Sequence, residues 1–177
     1  MNELKYFFAK LHKKLMHGDK EIISNYFRKA GMKIGENCNI CCNIMTAEPY
    51  MIEIGNNVTI SGNVVFVTHD NSVAKLFGVG NDLYGRITVG DNCFIGLNAT
   101  IMYGVTLADN VIVGSGSVVT KSVTKSNVII AGNPARIVGD WEEFSQKVND
   151  NVICTKGFSA EQKKKKVLES EQKLICR

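Results

Sequence analysis

Aliphatic residues recur at every sixth position across the second half of this chain. Val89, Ile95, Ile101, Leu107, Val113 and Val119 stand six residues apart without a miss. A second column lies four residues after each: Cys93, Ala99, Val105, Val111, Ser117 and Val123, all small or β-branched. Gly90, Gly96 and Gly114 directly follow three of the aliphatics. The pattern also occurs upstream in two fragments, Ile34 with Ile40, and Ile54 with Ile60 and Phe66. These fragments fall out of register around Ala47 to Met51, and a longer break from Asp70 to Arg86 separates Phe66 from Val89. A fixed repeat of this kind sets the architecture before any single segment is considered.

Three six-residue units make one triangular coil, each unit a short flat strand and a turn. The aliphatic column points into a narrow prism, and the small column fills the space that remains. Gly, Asn and Asp belong at the corners, where positive φ is needed. Asn56, Asn57, Asp91, Asn92, Asp109 and Asn110 hold such places. Stacked coils pair as parallel strands, and each buries its apolar face only against the next. The expected fold is all-β, a left-handed parallel β-helix of hexapeptide repeats with short N- and C-terminal helices. Its hand is an exception to the right-handed crossover rule.

The flanks lack the repeat. Residues 1–30 read as a helical segment, with a break at Gly18 and Asp19 and a second helix over Lys20 to Lys29 that Asp19 caps. Leu4, Phe7, Phe8, Leu11 and Leu15 recur at helical spacing, which predicts an amphipathic helix packed on its own protein rather than on an anionic membrane. Residues 31–138 form the β-helix, with 70–86 as an inserted loop. Residues 139–177 form a helical tail, with short helices over Trp141 to Lys147 and over Ser159 to Ile175. The second begins with a Ser159/Gln162 capping box.

Composition excludes several classes. The net charge of +4 is mild, and apart from Lys163 to Lys166 the basic residues are dispersed, so no nucleic-acid footprint is present. No run approaches the length of a membrane span. Charges throughout MNELKYFFAKLHKKL make a secretory leader unexpected. The six cysteines, Cys38, Cys41, Cys42, Cys93, Cys154 and Cys176, form no CxxC pair. Four of them lie in the repeat region as small hydrophobes, so reduced thiols and a cytoplasmic setting are expected.

The candidate chemistry is sparse. His12 and His17 belong to the lysine-rich first segment and read as solvated. His69 differs, because it follows a coil in Val67-Thr68-His69-Asp70 and opens the long interruption. Interruptions of a regular solenoid are where function is added, and a histidine there can take a proton from a hydroxyl near neutral pH.

The repeats, the Thr68-His69 step, Gly114-Ser115-Gly116-Ser117 with Val118 to Lys121, and the segment Ala131 to Arg136 together resemble the hexapeptide-repeat acyltransferases. The pattern is most similar to the maltose, galactoside and capsular polysaccharide O-acetyltransferases, over roughly residues 30 to 140. The resemblance implies a homotrimer that moves acetyl from acetyl-coenzyme A to a hydroxyl of a sugar or polysaccharide precursor, without a metal. His69 matches the catalytic base. Leu97 matches the position whose backbone N–H lies near the thioester carbonyl, where many members have Ser. Ser115 matches a contact to the pantetheine arm, Thr120 and Lys121 match contacts lower on the cofactor, and Arg136 matches a basic residue near its phosphates. The acceptor is expected at the 70–86 loop through Asp70, Asp82 and Tyr84, with Asn43 nearby, and Asp70 is a candidate to orient His69. Met102-Tyr103-Gly104-Val105 replaces the family's usual Leu-Pro-Gly-Val.

Rival readings are weaker. A γ-type carbonic anhydrase needs three metal-binding His residues, and the coil region has one. Thirty residues ahead of the coils fall short of the large helical domain of serine acetyltransferases. N-acetylation of an amino sugar or nucleotide-linked amino sugar, and a non-catalytic scaffold, remain the alternatives.

Overall fold

The computed structural model describes residues 3–16 and 18–175; His17 and Cys176 lie outside the described residues. The chain divides into two compact units, Met1–Gly139 and Asp140–Arg177.

Short parallel strands in the first unit build three faces. The first face stacks Lys33–Ile34, Ile52–Ile54, Ile87–Val89 and Thr106–Leu107. The second stacks Asn39–Ile40, Thr59–Ile60, Phe94–Ile95, Val111–Val113 and Val128–Gly132, with Ala135–Asp140 at its end. The third stacks Val65–Phe66, Thr100–Ile101 and Val118–Val119. Successive strands visit the three faces in turn, so the chain climbs as a triangular coil. All six residues of the aliphatic column from Val89 to Val119 are 1% exposed or less. In the small column Cys93, Ala99, Val105, Val111 and Ser117 are buried as well. Cys38 and Cys42 join this core as free thiols, but Cys41, between two inward positions, points outward and is exposed. That corrects its expected place among the small hydrophobes, and follows from the alternation of side chains along a strand.

The corners divide labour within each Asn/Asp pair. Asn57, Asn92 and Asn110 take positive φ and form a ladder, with Nδ2 of Asn57 donating to Oδ1 of Asn92 at 2.6 Å and Nδ2 of Asn92 to Oδ1 of Asn110 at 2.8 Å. Asn56, Asp91 and Asp109 do not take positive φ, contrary to expectation. Their side chains accept backbone N–H groups of the coil below: Glu36 N–H to Asn56 at 2.9 Å, Asn56 N–H to Asp91 and Asp91 N–H to Asp109, both at 2.7 Å. This satisfies donors that a tight corner leaves without a partner.

The chain is not wholly β. Helices α1 (Glu3–Leu15) and α2 (Glu21–Lys29) precede the coils. The Asp19 carboxylate accepts the Glu21 N–H at 2.9 Å, so it does hold the start of α2. Ile23 and Phe27 of α2 are fully buried over the first coil, each contributing about 1.5–3 kcal/mol by burial. Arg28 reaches the open strand edge, its Nε donating to the Ile34 carbonyl at 2.8 Å and its Nη2 to that of Gly35. The exposed edge of the stack is thereby covered. Helix α1 packs on α2 through Tyr6 and Ala9, while Leu4, Phe7, Phe8, Leu11 and Leu15 are exposed. The expectation that those five residues pack against the protein is therefore overturned. The aromatic cluster of Tyr6, Tyr26 and Phe27 anchors the helix instead.

A third, one-turn helix lies in the insertion, α3 (Ala74–Phe77). The second unit contains α4 (Trp141–Val148), capped by Asp140 through the Glu143 N–H at 3.0 Å, and α5 (Ala160–Leu168). The capping box of Ser159 and Gln162 is present. The helix stops at Leu168, and only a 3-10 turn, Glu171–Lys173, follows where a helix to Ile175 was expected. Neither α4 nor α5 has a buried residue, so no apolar contact sustains further turns there.

Candidate active site

Strand register locates the two breaks in the repeat. Ile34 pairs with Ile54, Ile54 with Val89, and Val89 with Leu107, which gives coils of 20, 35 and 18 residues. Three hexapeptides make 18, so the first coil carries two extra residues and the second seventeen. The second surplus falls at the corner between the third and first faces, and the first lies between Ile40 and Ile52 on the way back to the first face. On the first coil the chain turns through Ala47 and Glu48 into a 3-10 turn, Pro49–Met51. On the second it leaves at Thr68 and returns at Gly85, whose N–H donates to the Thr68 carbonyl at 3.1 Å. A side chain at Gly85 would meet the backbone of Tyr103 and Gly104 within 3 Å, so the close return requires glycine.

The excursion begins as an antiparallel ribbon in which His69 pairs with Tyr84 and Asp70 with Leu83. It brings together four of the expected residues, His69, Asp70, Asp82 and Tyr84. The rings of His69 and Tyr84 are 6.0 Å apart, and the Tyr84 hydroxyl donates to Asp82 at 3.2 Å. Asp70 does not orient His69. Its carboxylate accepts the Ser72 N–H at 2.8 Å and the Tyr103 hydroxyl at 3.3 Å, which secures the root of the ribbon.

The carboxylate on His69 is Glu48, from the break one coil below. His69 Nδ1 and Glu48 Oε2 are 2.9 Å apart. The histidine side chain is 42% exposed and that of Glu48 only 11%. The Thr68 hydroxyl donates to the same Oε2 at 2.6 Å, and the Thr46 and Thr68 hydroxyls are 2.6 Å apart. Proton counting orders the chain. An ionised Glu48 only accepts, so Thr68 gives it its one proton and takes one from Thr46. Thr46 in turn accepts the Glu48 N–H at 3.1 Å. His69 Nδ1 therefore carries a proton, and in the neutral ring the lone pair is on Nε2. The Thr68 hydrogen bond and His69 hold the Glu48 carboxyl below its usual range despite burial. The hydrogen bond and charge of Glu48 raise the His69 pKa, with Asp82 and Asp70 adding to the effect.

Glu48, Thr46 and Thr68 were not among the sequence-predicted residues. The signal was the register slip at Ala47 to Met51, which places an acidic residue directly below the longer break. Asn43 lies on the first coil between buried Cys42 and Ile44, and its Oδ1 is buried without a hydrogen-bond partner among the described residues.

Two further groupings involve the remaining residues. Leu97 and Ser115 stack at one corner, with the Gly116 N–H donating to the Leu97 carbonyl at 2.8 Å. Unlike the Asn/Asp corner, this one supplies no acceptor among the described residues for the N–H groups of Leu97 and Ser115. Lys121 and Arg136 line a cavity of about 260 Å³ with Ser122, Lys125 and Ala135, and Thr120 is exposed beside it.

Triangular coils with a histidine–carboxylate pair on an arm at one broken corner define a hexapeptide solenoid with a half-exposed histidine held by a buried carboxylate. Residues 86–121 match the family model described as hexapeptide repeat of succinyl-transferase. Protein CapG of Staphylococcus aureus is 40% identical over 168 residues, covering 91% of this chain and 92% of that one. A maltose O-acetyltransferase from Clostridium difficile is 27% identical with a TM-score of 0.55, over 75% of this chain and 84% of that one. A galactoside acetyltransferase in complex with coenzyme A is 26% identical with a TM-score of 0.57, over 79% and 78%. The chain belongs to the hexapeptide-repeat acyltransferase family.

Proposed function

We propose that this protein is a homotrimeric left-handed β-helix acetyltransferase that moves acetyl from acetyl-coenzyme A to a hydroxyl of a sugar or polysaccharide precursor. The observation that carries the reading is the Glu48–His69 pair at 2.9 Å, with the other ring nitrogen on a half-exposed side chain. Maltose and galactoside acetyltransferases among the structural relatives support a sugar acceptor.

In this reading His69 Nε2 removes the acceptor hydroxyl proton as the oxygen attacks the thioester carbonyl. Glu48 holds the ring and offsets the charge it gains. The unsatisfied N–H of Leu97 is offered to the oxyanion, a role that needs the amide and not the side chain. The tetrahedral intermediate collapses, the thiolate leaves, and His69 returns the proton to it. The products are an acetyl ester and free coenzyme A. The Ser115 amide meets the pantetheine arm, Thr120 lies lower on it, and Lys121 and Arg136 meet the phosphates. Asp70, Asp82, Tyr84 and Asn43 belong to the acceptor side. Buried free thiols at Cys38, Cys42 and Cys93 support a reducing, cytoplasmic setting.

The test is a thiol-release assay with acetyl-coenzyme A against sugars, glycan fragments and amino sugars, beside light scattering. Release driven by a neutral sugar hydroxyl, from a trimer, is expected. Release driven only by amino sugars would move the reading to N-acetylation, and a stable monomer would remove the trimer.

A further inference from the structure

Helix α1 is amphipathic, and most of its apolar side faces away from its own protein, with Phe8 at the edge of a groove against α2. At 100° per residue, Phe7, Phe8, Leu11 and Leu15 fall in one stripe about 100° wide. They are 60%, 57%, 44% and 69% exposed. Tyr6 and Ala9, which pack on α2 and the core, lie on the opposite side. Lys5 and Lys14 border the stripe on its two flanks, with Lys10 and Lys13 behind. None of these four lysines has an ion-pair partner among the described residues. Glu3 is the helix's one carboxylate.

We infer that α1 is a peripheral docking surface for an anionic lipid membrane, lying in the interface plane with Phe7, Phe8, Leu11 and Leu15 among the acyl chains. Apolar residues on one side and lysines on its flanks are the composition of an interfacial helix. The lysines reach headgroup phosphates while their stems cover the stripe edges. A two-fold pairing of α1 with its counterpart in a second copy is disfavoured, because it sets the bordering lysines of one stripe against those of the other. No helix among the described residues is long and apolar enough to cross a membrane. The inference is independent of the acyl-transfer reading.

The experiment is co-sedimentation of the full chain with vesicles of phosphatidylcholine alone, or with about 30% phosphatidylglycerol, at low and high salt. The protein is expected to pellet with the anionic vesicles at low salt and to be released at high salt. Replacing Lys5 and Lys14 with Gln should weaken partitioning by about fivefold per lysine. Phe7→Ser with Phe8→Ser should abolish it while circular dichroism shows the fold intact; Leu15→Ser serves if that pair fails to fold. Replacing Lys163 to Lys166 with Gln should leave binding unchanged. The inference is overturned if anionic vesicles do not bind the protein at low salt, or if only the 163–166 variant loses binding. It is equally overturned if the serine variants change the mass by light scattering and leave vesicle binding intact, which assigns the stripe to contact between copies.

Discussion

Glu48 and His69 are separated by 21 residues yet meet at 2.9 Å, because one break in the repeat lies directly beneath the other. Neither irregularity makes the pair alone. The lower one turns a carboxylate inward at the corner, and the upper one sends the histidine out along the ribbon. Glu48→Gln should keep a side chain of the same size while losing its charge. We expect kcat to fall by about 10²-fold, less than the most extreme loss of a general base, with KM for acetyl-coenzyme A unchanged.

The same substitution should move the pH profile. Glu48 raises the His69 pKa above the usual 6.5, and only the neutral ring accepts a proton. The acid limb of kcat/KM should therefore lie above that value in the wild type and shift to lower pH in Glu48→Gln. An unmoved limb would separate Glu48 from the reaction. Stability follows the two signs. The raised His69 pKa gives a contribution that is full below 6.5 and lost as pH rises through the folded value. The lowered Glu48 pKa gives one that is present above 4.5 and lost as pH falls through its folded value.

His69→Ala should lower turnover by about 10² to 10⁴ with a saturating acceptor. The side chain is 42% exposed on the ribbon, so its loss opens no core cavity and the thermal midpoint should stay within a degree or two. Thiol release beside a thermal melt reads both. Activity within about threefold of wild type would remove His69 from the mechanism.

Arg136→Ala should raise the KM for acetyl-coenzyme A by about tenfold, the value of one charge-assisted hydrogen bond, with kcat nearly unchanged. Wild-type KM should also rise with salt, as expected for phosphates held by Lys121 and Arg136 at an open cavity. Initial-rate kinetics at two ionic strengths measure both.

Ile101→Ala should cost about 2–5 kcal/mol. Its side chain is fully buried, and strands pair on both sides of it, with Phe66 and Val119 in register. Adjacent coils cannot close the gap without breaking parallel ladders. Urea unfolding, read as a fall in midpoint at constant slope, is the measurement.

The coils were legible because their period is strict. Val89 to Val119 could be placed in the interior from spacing alone, and each is there. The site was half legible. The interruption showed His69, since a polar ring at a repeat boundary has no packing role. Glu48 stayed hidden because its meaning depends on which corners stack, and that depends on how a two-residue surplus is absorbed. At Asn56, Asp91 and Asp109 composition indicated a corner but did not separate the residue that turns the backbone from the one that caps an amide. On α1 the periodicity was correct and the direction was not. Apolar spacing shows that a stripe exists, while Tyr6 and the aromatic contacts it makes with Tyr26 and Phe27 decide which side turns inward.

The return of the chain from Thr68 to Gly85 has a consequence for how this scaffold diversifies. The third coil resumes its pairing regardless of what lies between those two residues, because its register is fixed by the first and second faces. The excursion is thus a cassette on a rigid spine. Its length and contents can be exchanged while His69, at its first position, stays above Glu48, so the surface around the ring can change without rebuilding the histidine–carboxylate pair.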